Sequence, residues 1–160
     1  MRTNIQFTFA VLAAALAAGA AFASEGAPGH SHAGFTAGAP GNPKKPARTI
    51  LVTMQEADGK MMFIPGRIEV RKGEQIRFVL RNSGLLEHEF VLASAAENRK
   101  HAELMMKYPE MEHDDPNARR LAPTKTAELV WRFTKAGEFE FACLIPGHHE
   151  AGMHGKIVVK

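Results

Sequence analysis

The chain has 160 residues, enough for one modest domain, with twenty basic and seventeen acidic side chains and a formal charge of +3. The charges are interspersed, with no basic run and no aromatic interleaving, which argues against a nucleic-acid partner. A single cysteine cannot form an internal disulfide, so that thiol needs another use.

Residues 1–23 read as an export signal. Met1-Arg2 is a short positive head, Phe7 to Ala21 is an apolar run rich in alanine, and Ala21-Phe22-Ala23 supplies the small residues a signal peptidase needs. Cleavage after Ala23 would deliver the mature chain to the periplasm. The apolar run is too short for a membrane anchor. Residues 24–46 are mostly Gly, Pro, Ala, Ser and His, and nothing in them could bury a core, so a disordered tail is expected. The pair His30 and His32 in that tail has two readings: a solvated linker, or a weak copper site completed by the freed Ser24 amine.

From Ala47 the pattern becomes short apolar runs with turn punctuation, as in a β-sandwich. Strands are expected at Thr49–Met54, Met61–Ile64, Arg67–Val70, Gln75–Leu80, Glu87–Leu92, Ala127–Phe133, Gly137–Ala142 and Lys156–Val159. A polar insertion, about residues 94–124, interrupts them. Its first part, Ala95 to Lys107, has a helix-favouring composition that Tyr108-Pro109 would stop. The insertion gathers soft donors: His101 and Met105 fall at i and i+4 on one helical face, with Met106, Met111 and His113 close by. These residues either cap the sandwich or form a secondary, solvent-accessible Cu(I) site.

The stretch Cys143 to Met153 carries the strongest chemical signal. A cysteine, a histidine five residues on and a methionine five beyond offer thiolate, imidazole and thioether, the donors that favour copper. A mononuclear blue-copper centre needs two imidazoles, one thiolate and a weak axial sulfur. Cys143, His148 and Met153 supply three of the four, and His88, in Leu86-Glu-His-Glu-Phe-Val-Leu92, is placed to supply the last. His149 competes with His148, but only His148 keeps the four-residue spacing to Met153. His149 and His154 are then outer residues near the mouth of the site.

The spacing Cys-x4-His-x4-Met, with the Pro-Gly-His-x-x-Ala-Gly-Met-x-Gly wording of residues 146–155, resembles the C-terminal ligand loop of the cupredoxins, the family of plastocyanin, azurin, auracyanin and rusticyanin. The resemblance covers about residues 47–160. It implies an all-β, Greek-key sandwich of about seven to eight strands holding one type 1 copper at His88, Cys143, His148 and Met153. The Gly/His-bearing N-terminal segment and the Glu-His-Glu-Phe wording further resemble the copper-resistance (CopI-like) group of exported cupredoxins.

Two functions follow from these expectations. One is a periplasmic monomer of copper tolerance that binds, buffers or oxidises copper and exchanges it with an exporter. The other is a mobile one-electron carrier that docks on a respiratory partner through Leu85, Leu86, Leu144, Ile145 and Pro146. An enzyme is disfavoured, because four protein ligands leave no open position for substrate. One departure from the family pattern stands out. Many cupredoxins follow the upstream histidine with Asn or Ser, which ties the two ligand segments together; here the residue is Glu89. An ionised carboxylate cannot donate a hydrogen bond, so the usual contact toward the thiolate side is in doubt.

Overall fold

The computed structural model describes residues 34–108 and 115–160. The expected export signal, His30 and His32, and Met111 and His113 of the insertion lie outside the described residues. Among those described, ten strands and one helix follow in the order β1 (Ala39–Pro40), β2 (Arg48–Ala57), β3 (Lys60–Ile64), β4 (Arg67–Val70), β5 (Gln75–Asn82), β6 (His88–Ala93), α1 (Ala95–Lys107), β7 (Ala118–Leu121), β8 (Thr126–Arg132), β9 (Gly137–Ala142) and β10 (His154–Val159). They form two five-stranded sheets, β1-β8-β5-β2-β3 and β4-β10-β9-β6-β7.

Alternation of side chains builds the space between the sheets. In β5, Ile76, Phe78 and Leu80 point inward; from β8 come Leu129 and Trp131, and from β10 Ile157 and Val159. Phe63, Phe78, Phe90 and Phe141 pack edge-on and stacked at the centre, with Phe90 and Phe141 5.3 Å apart at 19°. Such a packed aromatic centre gives the sandwich the stiffness that a preorganised site requires. The pairings of β2 with β5 and of β4 with β10 are parallel, and all the others are antiparallel.

Strand β6 is buried on both faces because α1 covers its outer side. The helix starts at a capping box: the Ser94 hydroxyl accepts from the Glu97 N–H while the Glu97 carboxylate accepts from the Ser94 N–H. It ends at Tyr108, whose N–H returns to the Leu104 carbonyl at 2.9 Å. Met105 is fully buried against Val91, Ala118, Ala142 and Leu144, with Ala102 beside it. His101 is half-buried on the same side, whereas Met106 is 65% exposed.

Two strands go beyond the expected eight. Strand β7 lies within the insertion and pairs with β6, from His88 opposite Leu121 to Val91 opposite Ala118. Strand β1 lies within the segment expected to be a disordered tail. Residues 34–46 are in fact docked: Ala37 is fully buried, its carbonyl accepts from Trp131 Nε1 at 3.1 Å, and Phe35 packs edge-on against Trp131 at 5.2 Å. Gly38, at φ +134°, sits so close to the Arg132 backbone that a side chain there would collide with it.

Replacing Met105 with alanine should destabilise the protein by about 2–4 kcal/mol, the cost of emptying a buried site. Met106→Ala should change stability by less than about 0.5 kcal/mol. Urea unfolding of the two variants beside the parent checks both values. Equal effects would mean that α1 does not dock through Met105.

A candidate metal centre between two strand ends and one loop

The start of β6, the end of β9 and the start of β10 lie at one end of the same sheet, because β6 and β10 both run antiparallel to β9. This topology gathers His88, Cys143 and Met153, although 65 residues of chain separate the first from the last. The loop between Cys143 and Met153 is closed by its own backbone. Cys143 N–H donates to the Met153 carbonyl and Met153 N–H to the His148 carbonyl, both at 3.0 Å. His148 N–H donates to the Ile145 carbonyl at 3.0 Å, and Ala151 N–H to Gly147 at 3.1 Å. Gly147 at φ +87° and Gly152 at φ +101° take the left-handed turns that let the loop fold this tightly. The loop is also tied to the opposite sheet, since Met61 N–H of β3 donates to the Ala151 carbonyl at 3.1 Å.

Within this frame three donor atoms converge. His148 Nδ1 stands 3.3 Å from Cys143 Sγ and 3.3 Å from His88 Nδ1. Metal bonds to imidazole nitrogen and thiolate sulfur of about 2.0–2.3 Å, at trigonal to tetrahedral angles, place ligand atoms about 3.3–3.9 Å apart. The spacing therefore fits a single small ion. Met153 is fully buried in the same apolar cluster as Cys143 and lies at the loop's inner end. His88, Cys143, His148 and Met153 are the residues that could hold copper here, and soft sulfur with two imidazoles suits that metal.

The surroundings bias the protonation of each donor. Burial pushes the Cys143 thiol up to about 12, so in the metal-free protein the sulfur keeps its proton at neutral pH. Two backbone N–H groups, of Glu89 at 3.3 Å and of Ile145, point at Sγ and would support the thiolate once a metal displaced that proton. Burial and the neighbouring His88 together lower the pKa of His148, which favours the neutral, metal-binding imidazole. His88 Nε2 lies 2.6 Å from Glu56 Oε1. Burial opposes ionisation of Glu56, but the N–H groups of Leu85 and Leu86, at 2.9 and 3.1 Å, and the bond to His88 outweigh it and hold its pKa down. An ionised Glu56 accepts from Nε2–H, which leaves the Nδ1 lone pair of His88 facing Cys143 and His148.

Glu56 was not among the residues singled out by sequence. It reaches the site from β2, 32 positions before His88, and no local pattern announces it. Asn82 plays a related part. Fully buried at the end of β5, its side chain donates to the Leu86 and Leu121 carbonyls at 2.8 and 2.9 Å and accepts from Gly84 N–H at 2.9 Å. The turn that presents Glu56 with two N–H groups is thereby fixed.

Glu89 keeps the link between the two ligand segments with its polarity reversed. Its buried carboxyl accepts from Leu144 N–H, one residue past the cysteine, while its own N–H reaches Sγ. Burial raises its pKa against the pull of Arg120. Leu144 itself is only 2% exposed and packs with Met105, so it cannot belong to a docking patch as expected. Leu85, Leu86 and Pro146 are exposed and Ile145 is partly so. Among the described insertion donors, Met105 faces the core, His101 is half-buried and Met106 faces solvent.

A two-sheet β-sandwich with a His, Cys, His cluster at one sheet end is the architecture of a copper-binding cupredoxin. The model of copper binding proteins of the plastocyanin/azurin family matches residues 50–160, and the chain belongs to that family. Among its relatives is a protein of Rubrivivax gelatinosus named copper-resistant cuproprotein CopI, 50% identical over 139 residues that cover 82% of each chain. A protein of the same name from Pseudomonas aeruginosa is 37% identical over 166 residues, covering 86% of this chain and 88% of its own. In fold, the chain is similar to auracyanin of Roseiflexus castenholzii, with a TM-score of 0.61 at 19% identity over 71% of this chain and 98% of that one. Auracyanin B gives 0.60 at 23% identity, over 77% and 96%.

Replacing Glu56 with alanine should weaken copper binding about 10- to 100-fold by freeing the His88 ring. Competition against a chromophoric copper chelator measures this. Unchanged affinity would show that the loop alone orients the site.

Proposed function

We propose that the chain is an exported, periplasmic cupredoxin of copper tolerance, holding one type 1 copper at His88, Cys143, His148 and Met153. The observation that carries this reading is the convergence of His88 Nδ1, His148 Nδ1 and Cys143 Sγ at ion-sized spacing. Relatives named as copper-resistant cuproproteins at 50% and 37% identity support the physiological half of the proposal. Copper bound here supplies one-electron chemistry between its two oxidation states. The residues supply rigidity: a closed loop, a sheet end and the Glu56 bond keep the donors in one arrangement, so little rearrangement accompanies a change of charge. The protein acts as a monomer that binds, buffers or oxidises copper and passes it to an exporter, and it is not an enzyme, because four protein donors leave no open position for a substrate.

A mobile electron carrier is the second reading. Leu85 at 88% and Leu86 at 45% exposure, three and two residues before His88, would be its docking face. A strain lacking the gene, complemented with the parent chain, Cys143→Ser or Leu85→Asp/Leu86→Asp, separates the two. Copper tolerance should be restored by the parent and by the leucine variant and lost with Cys143→Ser. Copper tolerance that is indifferent to Cys143, with respiration that depends on the two leucines, would favour the carrier.

A further inference from the structure

The loop that carries His148 and Met153 inward carries the next residue after each of them outward. His149 and His154 stack at 4.7 Å with their rings 21° apart. Glu140 of β9, paired in the sheet with Lys156, brings its carboxylate beside them, with Oε1 3.6 Å from His149 Nε2. The donor atoms of Glu140, His149 and His154 all lie within 4.8 Å of one another. We propose that Glu140, His149 and His154 form a second, surface-facing site for a borderline divalent ion, Cu(II) or Zn(II), on the reverse side of the ligand loop. The site goes beyond the proposed function and stands on its own geometry.

Three observations carry it. The donor set, two imidazoles and a carboxylate, suits divalent copper and zinc rather than Cu(I), and differs in softness from the sulfur-bearing centre. The carboxylate is already positioned: Asn98, buried in the first turns of α1, donates from Nδ2 to Glu140 Oε2 at 2.9 Å. One oxygen is thereby held and the other left toward the histidines, the outer support typical of built metal sites. The two imidazoles are partly exposed, His154 more than His149, so their rings can turn inward from the observed separation to the roughly 3.3 Å that a shared ion requires. With three protein donors, a fourth position stays open to water or to an exchanging ligand.

An ion bound there would join β9, the middle of the loop and the start of β10, and through Asn98 the helix. Its ligands are offset by one residue from His148 and Met153, so filling it would brace the loop that holds the inner centre. Such a site gives the outer side of the loop a place for a divalent ion that leaves the inner donors untouched.

The test uses the full mature chain, loaded with copper at the inner centre and carrying His30→Ala and His32→Ala to silence the tail. Zn(II) is titrated in by calorimetry, with the visible band of the inner centre followed in the same samples. One further equivalent should bind, and His149→Ala, His154→Ala and Glu140→Gln should each weaken it at least about tenfold, with a smaller loss for Asn98→Ala. A parallel Cu(II) titration followed by electron paramagnetic resonance should give a separate, non-blue signal and tighter binding than Zn(II), following the usual order of divalent affinities. Absence of a second equivalent in the parent, or uptake indifferent to Glu140, His149 and His154, overturns the site. In either case an intact visible band leaves the inner copper centre standing.

Discussion

Two imidazole nitrogens and a sulfur, with His148 Nδ1 held 3.3 Å from both His88 Nδ1 and Cys143 Sγ, are the constraint on which the rest of this structure turns. Burial and the neighbouring His88 lower the pKa of His148, which keeps its imidazole neutral and able to bind a metal. Without an ion to share, the arrangement would relax if the chain allowed it. The surroundings prevent that through directed bonds: Glu56 on the far side of the His88 ring, two backbone N–H groups on the sulfur, and the carbonyl-to-amide closure between Cys143, His148 and Met153. The sandwich is rigid where rigidity serves the site, with both faces of β6 covered and Phe90 stacked on Phe141 just behind it.

Much of this was legible in the sequence because the signals are local. Three of the four proposed copper donors sit in one eleven-residue loop, and their spacing survives any drift in strand boundaries. The strands Arg67–Val70 and Gly137–Ala142 and the helix Ala95–Lys107 stand where composition and alternation put them. His88 could be singled out because it opens a strand that continues through the apolar residues Phe90, Val91 and Leu92.

What was not legible depends on contacts between distant segments. Glu56 is one acidic residue among many until β2 is laid beside the turn at Leu85 and Leu86. Residues 34–46 have the composition of a linker, yet a buried alanine and a phenylalanine against Trp131 are enough to dock them on an edge strand. Leu144 looked like a rim residue because it follows the cysteine. The helix over β6 turns it into core. The same helix decides between neighbours in sequence, sending Met105 inward and Met106 outward. Composition cannot make that distinction without knowing which face is covered.

The inner centre and the outer cluster together show how one short loop can serve two environments. Adjacent residues, His148 with His149 and Met153 with His154, face a sulfur-bearing interior and a carboxylate-flanked surface, with the sheet end as common support. Whether the inner donors hold copper is read by copper K-edge X-ray absorption of the singly loaded protein. One short copper–sulfur bond and two imidazole nitrogens are expected, all lost or rearranged together in Cys143→Ser. A first shell of nitrogen and oxygen alone, unchanged by removing Cys143, would contradict it.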